Sequence, residues 1–356
     1  MIMNGRNYRN LVALCLLSLL LPIVYYKLNG SRWRTVTNNI PGLDPGSSSD
    51  PNADPDPDPD PGPEPATPDD PDVDRVSVFE GFDNVTGSSS FIVPNVIHYL
   101  RLNQSTLTFV DYVCIRSAYV NHKPRRIIFH TNSADFSGTY WQKIKSERDL
   151  YARISLRWIQ VPSEIFDQQL RKDWQLYHGS DIGRIQTMMK YGGIYLDNDM
   201  YVVASLDKYR RFEIAMGWDQ GKFIGNQVII AHKNARFLPL YLNTYQEYHP
   251  ELWYYNAGER PTVEILYRRP ELLHRVKWKF GVHQLMAKLY ASQWPKWRNM
   301  DTIHLLISHR YYMDPQYEDI PVFDEVNIAN YSYTFGEMAR RVLPRRKSLS
   351  NSIDLL

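Results

Sequence analysis

Asp197 and Asp199 are the residues of this chain whose type and spacing best suit chemistry. In Tyr191-Gly-Gly-Ile-Tyr-Leu-Asp-Asn-Asp-Met200, two glycines stop a helix pattern, a three-residue apolar strand follows, and two carboxylates emerge at its end. Residues two apart in an extended segment point the same way, so both acids can address one ion. Carboxylate oxygens favour a hard divalent cation, Mn²⁺ or Mg²⁺, which completes its shell with phosphate oxygens and water. Such an ion stabilises the charge that develops on a departing diphosphate. An Asp-x-Asp by itself says little, because Asp54, Asp56, Asp58 and Asp60 repeat it in a Pro/Asp tract. The glycine stop and the apolar strand distinguish the later copy; the alternative is a strand-end turn with two solvated acids.

Upstream lies Ser180-Asp-Ile-Gly-Arg184. Asp181 and Arg184 are three apart at a helix start, hence neighbours on one face. They can simply pair with each other and support the helix, or present a carboxylate and a guanidinium to ligand hydroxyls and phosphate. Asp219 and the Asn226-Gln227 pair follow on later elements, where a role at the reacting centre and ordinary loop capping are both open. His98, His130, His178, His304 and His309 lack the spacing of a zinc site, and neither a Gly-rich phosphate loop nor a Gly-x-Ser-x-Gly elbow occurs.

The elements that must position these groups alternate strand and helix signals. Val93–Leu100, Arg126–His130 and Ile154–Ile159 read as short buried strands, with an apolar-periodic helix over 107–120. Ser180 is expected to cap a helix whose Ile182, Ile185, Met188 and Met189 form one stripe ending at Gly192-Gly193. Strands follow at 194–196, 213–218 and 226–231. Such alternation predicts an α/β sheet, with ligands beyond the carboxyl ends of its strands, where Asp197 and Asp199 fall.

The chain has 356 residues, 43% hydrophobic and 13% aromatic, ample for a packed core. Residues 41 to 74 hold eleven acids and no Lys or Arg. With a formal net charge of +2 overall, removing those acids leaves +13 on the remainder, of which five basic residues flank the N-terminal apolar run. Residues 75 to 356 thus carry about +8, which suits an anionic small ligand or a membrane nearby. There is no basic-aromatic stripe, and nucleic acid is not an expected partner. Alternating Pro and Asp cannot bury apolar surface and favour an extended, self-repelling stem. The apolar run at 11–26 would span roughly 24 Å as a helix, short of the ~30 Å hydrocarbon core. It reads as an uncleaved anchor, a signal peptide being the rival. The expected organisation is a cytosolic tail at 1–10, an anchor at 11–26, a stem at 27–75 and a luminal domain at 76–356. Sequons at Asn84, Asn103 and Asn330 support the luminal side. Cys114 reads as an inert core thiol or, alternatively, an intermolecular partner.

Together, Val93-Pro-Asn-Val-Ile-His98-Tyr99, Ser180-Asp181-Ile-Gly-Arg184 and Gly192-Gly-Ile-Tyr-Leu-Asp197-Asn-Asp199 resemble the motifs of glycosyltransferase family 32 over roughly residues 90 to 235. The resemblance implies a GT-A fold, Rossmann-like with a mainly parallel central sheet, and a Mn²⁺-dependent, retaining transfer from a nucleotide-sugar donor. It implies a UDP-linked hexose or N-acetylhexosamine, GDP-mannose being the alternative donor, with a glycan, glycolipid or glycoprotein as acceptor. Asp199 would coordinate metal directly and Asp197 would serve both metal and donor, while Asp181, Arg184, His98 and Tyr99 would bind the donor. With the apolar run, the stem and the sequons, the expected protein is a single-pass type II protein of the Golgi membrane. Arg101 stands where relatives often carry Trp, and residues 327–335 do not supply the usual C-terminal metal contact. A catalytically inactive sugar-binding or regulatory protein of the same fold is the alternative.

Overall fold

The computed structural model describes residues 79–307 and 320–344. The expected tail, anchor and stem, 1–10, 11–26 and 27–75, lie outside the described residues. Among the described residues no helix is long and apolar enough to cross a membrane.

The sheet begins with β1 (Val96–Arg101), followed by α1 (Phe109–Asn121), β2 (Arg126–Thr131), α2 (Thr139–Ser146) and β3 (Ile154–Trp158). Thr108 and Asp111 form a reciprocal capping box that starts α1, satisfying two otherwise orphaned amides. The three strands pair in parallel, as helical crossovers require. A hairpin of β4 (Glu164–Ile165) and β5 (Gln168–Gln169) leads into α3 (Gln175–Tyr191).

β6 (Gly193–Leu196) then pairs in parallel with β1 on the side away from β2. This reversal of strand order is a topological switch point, and the crevice beyond the ends of β1 and β6 is the expected ligand position in such sheets. β7 (Met200–Val202) leaves for a second sheet, while β8 (Ile214–Gly217) and β9 (Gly225–Ala231) extend the first in antiparallel fashion. After α4 (Phe237–Asn243), β10 (His274–Val276) completes seven strands in the order β10-β8-β9-β6-β1-β2-β3. The smaller sheet joins β11 (Phe280–Gly281), β12 (Thr302–His304) and β7, and α5 (Thr334–Val342) packs near it.

Both faces of the large sheet are covered, so its strands are apolar on both sides. Ile97, Tyr99, Ile127 and Phe129 face α1 and α2. Leu100, Tyr195 and Ile229 face the α3 stripe Ile182, Ile185 and Met188. Each fully buried Ile or Met contributes about 1.5–3 kcal/mol, which clamps α3, the carrier of Asp181 and Arg184, against β6, which leads to Asp197. Cys114 is fully buried against the C-terminal elements, and burial pushes its thiol well up, as an inert core thiol requires.

The start of α3 differs from the sequence expectation. The helix begins at Gln175, five residues before Ser180, whose hydroxyl bonds back to the Leu176 carbonyl at 2.6 Å inside the helix. A 3₁₀ turn at Lys172–Trp174 feeds the first turn, which has no side-chain cap. The end is as expected. Gly192 and Gly193 have φ of 65° and 103°, and a Cβ at Gly193 would sit 2.7 Å from the Val96 carbonyl oxygen. Only glycine permits both that backbone and that approach to β1.

Candidate active site

Asp197, Asn198 and Asp199 form a tight turn, closed by the Met200 amide donating to the Asp197 carbonyl at 3.0 Å. The sequence expectation of an extended segment is therefore corrected: β6 ends at Leu196, and the turn converges the two acids. The Asn198 side chain donates to the Leu100 carbonyl at 2.7 Å, tying the turn to the end of β1 across the switch point.

Arg184 is the centre of a buried network. Its Nη1 lies 3.1 Å from Asp197 Oδ1 and 3.0 Å from Asn226 Oδ1, and its Nη2 lies 3.3 Å from Asp181 Oδ1. Asn226 Nδ2 donates to Asp181 Oδ1 at 2.8 Å, and the Tyr195 hydroxyl donates to Asp197 Oδ1 at 2.7 Å. Asp181 and Arg184 are thus no solvated surface pair. Burial pushes the Asp181 carboxyl up to about 6, against the pull of Arg184 and Asn226. Burial works against the Arg184 charge too, but Asp197, Tyr195 and Asp181 outweigh it and hold the guanidinium protonated. In each acid the network takes Oδ1. Among the described residues Asp181 Oδ2 has no hydrogen bond, and Asp197 Oδ2 lies 3.9 Å from His304 Nε2. Side-chain exposures of 13% and 21% leave both able to touch a ligand.

His304 is the residue that sequence reasoning missed. β12 pairs antiparallel with β7, placing His304 opposite Met200, and the Leu305 amide extends the ladder to the Asp199 carbonyl at 3.0 Å. His304 Nε2 consequently lies 2.9 Å from Asp199 Oδ1. Burial disfavours the imidazolium, but Asp199 and Asp197 more than offset it and the pKa is raised. The two residues are 105 apart in sequence, so a search for local ligand spacing misses them; alternation in Thr302-Ile-His304 signals only a strand. Residues 327–335 pack into the C-terminal layer instead.

His98 and Tyr99 are both fully buried. His98 Nδ1 lies 2.9 Å from His130 Nε2, and burial beside His130 holds its pKa well down. Tyr99 stacks on Phe129 with ring centroids 5.1 Å apart. Arg101 is buried, paired with Asp111 at 2.7 Å, and donates to the Thr106 carbonyl at 2.8 Å, so it braces the loop after β1. Asp219 caps a turn by accepting from the Trp278 amide at 2.7 Å. Of the sequons, Asn84 is buried, donating to Glu213 Oε2 at 3.1 Å and accepting from the Glu213 amide at 3.0 Å. Asn103 and Asn330 are exposed.

Residues 112–215 match the family described as a glycosyltransferase sugar-binding region containing a DXD motif. That span includes Asp181, Arg184, Asp197 and Asp199 and stops short of His304. Over 188 residues the chain is 26% identical to Glucan organizing enzyme 1 of Cryptococcus neoformans var. grubii, an alignment covering 48% of this chain and 49% of that protein. The chain therefore spans about half the length of this curated relative. Among solved structures it is similar to the galactosyltransferase LgtC in complex with donor and acceptor sugar analogs, at TM-score 0.40 and 14% identity, covering 71% of this chain and 98% of the other. It is also similar to mouse xyloside xylosyltransferase 1 in its apo form, at TM-score 0.35 and 10% identity, covering 59% and 97%.

Proposed function

We propose, for a chain whose residues 112–215 match a glycosyltransferase sugar-binding region containing a DXD motif, that it transfers a hexose or N-acetylhexosamine from a nucleotide-sugar donor to a glycan, glycolipid or glycoprotein acceptor. The observation that carries the reading is the convergence of Asp197, Asp199 and His304, with His304 Nε2 at 2.9 Å and 3.9 Å from the two carboxylates. Two carboxylates and an imidazole are a donor set that fits Mn²⁺, with Mg²⁺ second. Among the described residues no such trio stands preformed at coordinating distances, so Asp199 and His304 would exchange their mutual hydrogen bond for bonds to the ion. When bound, the ion supplies charge neutralisation at the leaving diphosphate.

The protein's own residues position the donor. Asp181 Oδ2 and Asp197 Oδ2 would accept from donor hydroxyls while Arg184, bonded to the partner oxygen of each, holds both carboxylates in place. Asn198 keeps the turn locked to β1, so the acids are oriented before the donor arrives. A UDP-linked donor, a GT-A frame and retention of anomeric configuration belong to this reading through the resemblance to family 32. Anchoring by residues 11–26 and a luminal Golgi address belong to it through the sequence, now supported by the sequons at Asn103 and Asn330 without Asn84.

The test is cleavage of a panel of nucleotide sugars by the purified chain, with and without chelator and added Mn²⁺. Asp199→Ala should lose activity, whereas Asp54→Ala, in the acidic tract, should keep it. Equal rates from the two variants would remove the site, and a chain that cleaves no donor would be a sugar-binding protein of the same fold.

A further inference from the structure

The outer end of α3 carries exposed aromatic rings that the donor site does not use. Tyr177 is 41% and Trp253 is 48% exposed, yet they are ordered against each other, with ring centroids 5.1 Å apart, and Trp174 lies 5.0 Å from Trp253. Beneath them His178 is buried. Its Nδ1 lies 2.5 Å from the Tyr248 hydroxyl, and its ring packs on Trp253 with centroids 6.5 Å apart. The imidazole thus fixes the loop carrying Trp253 against α3, and π-helical turns at Tyr255–Glu259 and Pro261–Leu266 follow directly. Insertions of that kind recur at functional sites.

The aromatic wall is continuous with the candidate donor site. His178 and Trp253 share a narrow crevice with Asp181, and His178, Asp181 and Arg184 succeed one another at three-residue steps along one face of α3, with Trp174 in the 3₁₀ turn just before it. From Arg184 to Tyr177 the helix rises about 10 Å, the length of a disaccharide. The crevice itself is too tight for a sugar ring, so a ligand must lie on the exposed ring faces. Charged groups rim the wall, Arg171 paired with Asp173 at 3.2 Å and Glu251 hydrogen-bonded to His249 at 3.0 Å. Apolar ring faces edged by charged groups suit a pyranose, whose C–H face stacks while its hydroxyls reach polar partners. A lipid surface would leave those charges without water.

We infer that Trp174, Tyr177 and Trp253 form an acceptor platform, and that the acceptor is an oligosaccharide of at least two hexose units that extends outward from Asp181. This rests on the glycosyl-transfer reading and narrows its acceptor to a glycan chain. The experiment measures binding of tetrasaccharides of glucose, mannose, galactose and xylose to the full chain, by saturation-transfer NMR and calorimetry, without donor. At least one should bind, Trp253→Ala should weaken it about tenfold or more, and Trp253→Phe should recover most of the affinity at an unchanged melting temperature. If Trp253→Ala does not fold, Tyr177→Ala, which removes an exposed ring, replaces it. The inference is overturned if no tetrasaccharide binds, or if loss of either ring leaves the affinity as it was. It is equally overturned if phosphatidylcholine vesicles, and not glycans, bind in a Trp253-dependent way. Because no donor is present, glycan binding can fail while nucleotide-sugar cleavage succeeds, and the reverse.

Discussion

Asp199 Oδ1 and His304 Nε2 lie 2.9 Å apart, brought together by the antiparallel pairing of β7 and β12 directly after the acidic turn. One carboxylate of the local motif is thereby joined to an imidazole from the far end of the chain. If His304 is a metal-side group, His304→Ala should weaken Mn²⁺ binding about tenfold or more, read by the electron paramagnetic resonance of free Mn²⁺. His249→Ala, at an exposed histidine, serves as the control, and identical isotherms for the two variants would return His304 to a purely structural role.

Arg184 neutralises two partly buried acids, so its loss should cost far more than that of a surface pair. Arg184→Ala should destabilise the protein by about 3–5 kcal/mol in urea unfolding, because Asp181 and Asp197 are left uncompensated. Adding Asp181→Asn to Arg184→Ala removes one of those charges and should restore part of the loss. A cost for Arg184→Ala within 0.5 kcal/mol of wild type, the size of an exposed helix pair, would contradict the buried network.

The Asp181 carboxyl titrates at about 6 in the folded chain against 3.8 as its ordinary value. The folded state therefore holds this proton more tightly than the unfolded state. The resulting stabilisation is complete below about pH 4 and is lost as pH rises through 6. Asp181→Asn abolishes that loss, so its stability relative to wild type should grow between pH 4 and 6 by up to roughly 3 kcal/mol and stay level above pH 7. Parallel stability curves for the two proteins across that range would contradict the assignment.

Asn84 is held by Glu213 and by the Glu271 carbonyl, to which its Nδ2 donates at 2.9 Å. Its substitution should act on folding and not on glycosylation. If the domain is luminal, Asn103→Gln and Asn330→Gln should each remove an endoglycosidase-sensitive shift. Asn84→Gln should leave the shift unchanged and lower stability by about 1–3 kcal/mol. A shift lost only with Asn84→Gln would place that side chain outside the core.

What was legible in the sequence was local. The Gly192-Gly193 stop, the apolar stripe of α3 and the strand leading to Asp197 follow from periodicity and from the conformations glycine alone adopts. The separation of Asp181 and Arg184 by one helical turn was equally plain. What was not legible depended on tertiary packing. Ser180 has the chemistry of a cap, but the 3₁₀ turn at 172–174 runs into α3 five residues before it. Burial turned the Asp181 and Arg184 pair from a surface feature into a network with Asn226 and Asp197. His98 and Tyr99, read through a motif resemblance as donor contacts, lie within the core because both faces of β1 are covered. His304 could be placed only by the register of β12 against β7.

The most direct test of the central claim is nucleotide-sugar cleavage by the metal-stripped chain to which Mn²⁺ is returned, compared among wild type, Asp199→Asn and His304→Ala. Wild type should be inactive when stripped and active again with Mn²⁺, while Asp199→Asn should stay at least a hundredfold slower, a loss of about 2.7 kcal/mol or more in transition-state stabilisation, with His304→Ala needing more Mn²⁺ to reach its rate. Cleavage by Asp199→Asn at the wild-type rate, or cleavage by the stripped wild type without added metal, would contradict it.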